Sequence, residues 1–180
     1  MRKVLEYLNK LWYSKIENNK VARGSVIMIQ YDIRVIAEWL LSHEELTHKR
    51  LQKYLYFFYG EYLSRMNDDI DGITIELFRN DFEGWAHGPV SPTIYAIYKG
   101  SGYRPLMIHS CTSVSVSAED NAILLEIYDQ YKKYTTDQLE SLSHKQSPWI
   151  NSRVGLEWFD IGNRPLSTED IFECFHGNNN

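Results

Sequence analysis

Cysteine is scarce: Cys111 and Cys174 are the two in 180 residues, and they form no CxxC pair. At most one disulfide could form, and a reduced cytoplasmic protein is the plainer expectation. No stretch approaches the roughly 18 uninterrupted apolar residues of a membrane span. The opening MRKVLE is too charged and too broken in its apolar run for a signal peptide. A P-loop, a G-x-G-x-x-G fingerprint, a G-x-S-x-G elbow and an HExxH pair are all missing. With them go the sequence signs of the common nucleotide binders, serine hydrolases and zinc proteases. Hydrophobic residues, by contrast, make up 43% and aromatics 14% of the chain, enough to bury a core in one domain with an appended element.

Charge is placed unevenly. Residues 1–27 hold Arg2, Lys3, Lys10, Lys15, Lys20 and Arg23 against Glu6 and Glu17, a net +4. Taking that from the chain's −5 leaves −9 on residues 28–180. An acidic body argues against a general nucleic-acid binder. The basic arm could dock on that body or reach a partner.

Within the arm, Val4, Leu5, Leu8, Leu11 and Trp12 recur at helical spacing, which predicts an amphipathic helix ending at Asn18-Asn19. KVARGSV reads as a linker, and Met28 opens the body. There Ile33, Ile36, Ala37, Leu40 and Leu41 predict a helix over 31–43. Thr47 then caps HKRLQKYLYFFYGEYLSRM, which is apolar on most of its circumference and belongs in the middle of a fold. NDDIDG breaks the chain, and ITIELFRNDFEGW predicts a short hairpin. A Gly88-Pro89 turn follows, then a helix over 92–99 capped by Ser91 with Pro92 at its first position. Ser117 to Asp120 is similar to a capping box, Thr136 caps a helix carrying Leu139 and Leu142, Ser147-Pro148 repeats the cap-then-proline device, and Ser167 caps TEDIFECFH. PLMIHSCTSVSV is a further strand candidate, and Gly177 to Asn180 form a polar, disordered tail. The expected fold is mainly α: a compact bundle around a central aromatic-rich helix, with a small β-hairpin element and an N-terminal amphipathic helix.

Several constellations invite chemistry. Asn67, Asp69, Asp71 and Gly72 match the first half of an EF-hand loop, but its twelfth position is Phe78 where a bidentate Glu belongs, so an acidic turn is expected. His43 and His48 are five apart and would face different sides of a continuous helix, which disfavours a zinc pair. KGSGY ends a helix, whereas anion cradles open one. His87, near Glu83 and Asp81, is the candidate for acid–base work, and bracing its loop through a ring N–H is the alternative. Tyr54, Tyr56, Phe57, Phe58 and Tyr59 read as core.

Three segments carry a resemblance. RLQKYLYFFYGEYL (50–63), FEGWAHGPVSPTIYAIYKGSG (82–102) and QLESLSHKQSPWINSR (138–153) together resemble the Panacea, or SocA-like antitoxin, domain over roughly residues 28–176. The division implied is an extension at 1–27, a domain at 28–176 and a tail at 177–180. Arg50 where the family has Lys, Tyr54 where it has Leu, and Gly84 where Ala is common are mild departures. The resemblance implies a phage-associated, cytoplasmic antitoxin that neutralises a cognate toxin by direct protein contact. A proteolytic adaptor that delivers the toxin to a protease is the alternative, and a His87-dependent hydrolase the rival from another class. It implies no enzyme activity, no cofactor or metal and no membrane partner. Arg50, Gln52, Lys53, Tyr56, Trp85, His87, Gly88, Pro89, Pro92, Tyr95, His144, Pro148 and Trp149 fall on its motif positions, for the fold or for a partner. The arm residues Arg2, Lys3, Lys10, Trp12 and Lys15 are candidates for toxin contact, dimerisation or weak contact with DNA.

Overall fold

The computed structural model describes residues 27–106 and 116–177. The expected amphipathic helix of the arm, most of the PLMIHSCTSVSV strand candidate and the last three residues of the tail lie outside them. The described residues form seven α-helices and two small two-stranded sheets.

Helix α1 (Ile33–His43) starts where Asp32 accepts the Arg34 N–H at 2.8 Å, and it buries Ile33, Ile36, Ala37, Trp39 and Leu40. Helix α2 (His48–Met66) is capped by Thr47, as its sequence predicts, and every residue from Leu51 to Ser64 is buried. A helix buried on all sides must satisfy its polar groups internally. Three of its four tyrosines do so by donating to carboxylates: Tyr54 to Glu44 (2.9 Å), Tyr59 to Glu76 (2.8 Å) and Tyr62 to Asp120 (2.7 Å). Glu61 in turn accepts the Tyr131 hydroxyl at 2.7 Å. Phe57 stacks on Tyr131 with centroids 4.7 Å apart.

Strand β1 (Met28–Ile29) pairs in parallel with β2 (Ile75–Glu76). The hairpin predicted within 73–85 is therefore corrected: β2 turns to β1, and the hairpin pairs β3 (Glu83–Trp85) with β4 (Gly88–Val90). The cause is Asn80, whose side chain donates to the Leu166 carbonyl (2.8 Å) and accepts the Phe82 N–H (3.0 Å), dividing the extended stretch in two. The Gly88-Pro89 pair is strand rather than turn, because the reversal occurs at Ala86-His87. The half EF-hand is an ordinary turn. Asn67 donates to the Leu63 and Ile75 carbonyls and accepts the Thr74 N–H, so its side chain is consumed in sealing α2 to β2.

Helix α3 (Pro92–Tyr98) has the expected Ser91 cap and first-turn proline, then tightens into a 3₁₀ turn. Ser117 caps α4 (Ala118–Tyr131), but the reciprocal half of the box is missing. Asp120 instead accepts the hydroxyls of Tyr31, Tyr62 and Ser117. The cap of α5 (Thr136–Ser143) is Thr135, one residue before the expected Thr136, because Gln138 completes a full capping box with it. In α6 (Ser147–Ser152), Ser147 is already helical and Gln146 occupies the cap without a side-chain bond. Ser167 caps α7 (Thr168–His176). This last helix lies against α2 at Gly60, where any Cβ would overlap the Phe175 ring.

Candidate functional site

The β3–β4 hairpin is held from three sides by residues distant in sequence. From α2, the Gln52 side chain accepts the Ser91 N–H (2.8 Å) and donates to the Ser91 carbonyl (3.2 Å), copying a strand partner. One residue on, Lys53 is fully buried and donates to the Pro89 carbonyl at 3.2 Å. Burial pushes its amine down from 10.5 to about 7, against the pull of Glu140 and with the push of Lys49. Gly88 leaves room for this amine: it holds φ at +98°, and a Cβ would stand 2.5 Å from Lys53 Nζ and 2.8 Å from Ser143 Oγ.

From α6, Trp149 donates its indole N–H to the Trp85 carbonyl at 2.8 Å, and Arg153 donates to the Gly84 carbonyl at 3.0 Å. His144, at the end of α5, stacks on Trp149 with centroids 4.0 Å apart and planes within 12°. Burial lowers its ring's affinity for a proton, and Nε2 has no hydrogen-bond partner. Pro148 is buried at the start of α6. Trp85 donates to Glu83 (2.8 Å) and packs on Tyr95, whose other neighbour is His48.

From α5, Glu140 reaches the hairpin tip. Its Oε1 lies 3.0 Å from His87 Nδ1, while Lys49 pairs with the other oxygen. Burial alone would raise this carboxyl, but the hydrogen bonds and charges of Lys49 and His87 hold it below its ordinary value. The His87 side chain is 78% exposed, and among the described residues no hydroxyl or thiol is bonded to it. Neither sequence neighbour serves it. Glu83 accepts from Trp85, and Asp81 accepts from the Ser91 hydroxyl and the Thr93 N–H. A histidine bonded to a carboxylate, with no hydroxyl or thiol bonded to its ring, clasps the hairpin tip to α5.

Two motif residues stand away from the hairpin. Arg50 donates to Glu44, Tyr54 and the Tyr134 carbonyl, tying α2 to the turn after α4. Tyr56 is buried among Phe57, Phe82 and Phe175, its hydroxyl unpartnered and its ionisation suppressed by burial. Pro92 only starts α3. Arg2, Lys3, Lys10, Trp12 and Lys15 lie outside the described residues, as does Cys111. Sequence reasoning missed Glu140, Lys49 and Arg153, since partners 53 and 69 positions from the residues they hold leave no local pattern. An open groove of about 710 Å³ between β1 and α3 is lined by Ile29, Ile33, Arg79, Asp81, Thr93 and Ile97, away from the clasp.

No helix among the described residues is long and apolar enough to cross a membrane, and no group of three or more His, Cys, Asp or Glu is placed to hold a metal. No curated protein and no solved structure matches the chain. Residues 51–150, however, match the family described as antitoxin SocA-like, Panacea domain. That span takes in α2 from Leu51, the hairpin, α5 and Trp149 of α6, and with more than half of its length matched the chain belongs to the SocA-like antitoxin (Panacea) family.

Proposed function

We propose that this chain is the antitoxin of a toxin–antitoxin module, acting in the cytoplasm and neutralising a cognate toxin by direct protein contact. Family membership is the observation that carries the reading. The geometry supports a binding rather than a catalytic role. Gln52, Lys53, Trp149 and Arg153 are consumed in holding the hairpin, and His87 meets a carboxylate without a nucleophile. A net charge of −9 on the body suits a partner with a basic surface.

The test is co-expression with the product of the neighbouring gene. Expression of that product alone should arrest growth, and this chain should relieve the arrest and co-purify with it. Absence of toxicity, or toxicity unrelieved by this chain, would remove the antitoxin reading. His87→Ala should neutralise as well as the parent, since only a hydrolase would need the imidazole. Toxin half-life should be unchanged by this chain, because occlusion does not require degradation. A shortened half-life would transfer the role to a proteolytic adaptor.

A further inference from the structure

Beyond the hairpin, the segment 154–162 presents its largest apolar side chains to water. Trp158 is 81% exposed, Phe159 62% and Ile161 85%, with the two rings edge to face at 5.4 Å. Surface tryptophan and isoleucine in such a cluster mark interaction sites, and aromatic anchors dominate protein interfaces.

The loop is built to hold them there. Arg153 is buried beneath it and donates to the carbonyls of Glu157 (2.6 Å) and Asp160 (3.0 Å) as well as to Gly84. Asp160 accepts the Glu157 N–H at 2.8 Å and returns its own N–H to the Glu157 carbonyl at 3.1 Å. Arg164 holds the Val154 carbonyl at 2.6 Å. Gly162 packs so closely under the Gly84 carbonyl that any Cβ would overlap it. With the Val154, Glu157 and Asp160 carbonyls held by arginines, the backbone that carries the rings is pinned, and binding has less to order there.

We propose that Trp158, Phe159 and Ile161 form the anchor by which this chain grips its toxin, entering an apolar cleft edged by basic groups on that protein. The proposal rests on the antitoxin reading above and names its contact surface. Net charge bears on the occupant. Glu157 and Asp160 beside the anchor are offset by Arg153 beneath the loop and Arg164 after it, but the body as a whole carries −9. A second copy would bring like charge against like, whereas a basic toxin is attracted. The family match ends at residue 150, so the anchor lies in a part of the chain that the match does not span.

The test uses the full chain and the product of the neighbouring gene. W158A/F159A should bind that product about 100-fold more weakly and fail to relieve growth arrest. Its urea midpoint should match the parent's, because both side chains are already in water. Tyr103→Ala removes an equally exposed ring elsewhere and should leave affinity unchanged. A photo-crosslinker at position 159 should attach to the neighbour's product. Undiminished binding by W158A/F159A, or crosslinking to a second copy or to residues 1–26, overturns the anchor while the antitoxin reading stands. A parent chain that neither binds nor neutralises the product defeats that reading, and the anchor with it.

Discussion

Lys53 keeps its amine where water cannot reach it, and the fold carries the cost at any pH where the unfolded lysine is charged. With about 7 in the fold against 10.5 in water, the unfolded chain binds the extra proton between those values. Stability should therefore rise with pH across that window, by at most about 1.4 kcal/mol per unit from this group, and be level with respect to it below pH 7. Above pH 10 the buried tyrosines oppose the trend: burial raises Tyr56, Tyr59 and Tyr62, so the stability they contribute is lost as the unfolded chain ionises. Urea titrations at pH 7, 8 and 9 should show a rise for the parent and a flatter profile for Lys53→Met; identical profiles would refute the buried, neutral amine. Gly88→Ala meets the same amine with a methyl group at a left-handed φ and should cost about 2–4 kcal/mol, read from the urea midpoint.

At the scale of elements, α2 depends on covers drawn from both sides of it in sequence. Phe175→Ala removes the ring that lies on Gly60 and should cost about 3–5 kcal/mol. The loosening of α7 should also speed alkylation of half-buried Cys174, whose thiol burial now pushes up. An unchanged labelling rate would mean that α7 is held by something else. Much of this architecture was legible. A helix apolar all round, such as LQKYLYFFYGEYL, has only the interior to occupy, and Thr47, Ser91 and Ser167 announce their helices by local chemistry that needs no tertiary partner. The failures were tertiary or close contests. Thr135 beat Thr136 because of Gln138 three residues on, and the hairpin moved because Asn80 found Leu166. The clasp was half legible: His87 stood out, but its partner Glu140 is one acid among many until the chain folds.

Across the whole molecule, charge sets how fast a partner is met. Against a basic toxin, raising salt from about 0.05 to about 0.5 M should slow association by about 10-fold or more and leave dissociation nearly unchanged. Stopped-flow binding would show this, and a salt-independent on-rate would count against steering by the acidic body. The same wholeness governs birth on the ribosome. Helix α2 ends at Met66, but its last cover, α7, does not begin until Thr168. At about 5–20 residues per second, that gap of about a hundred residues lasts on the order of 5–20 s. For those seconds the nascent chain holds its most aromatic helix without its lid. The packing around α2 is thus complete only after α7 emerges, and translation speed over the stretch between the two helices sets the delay.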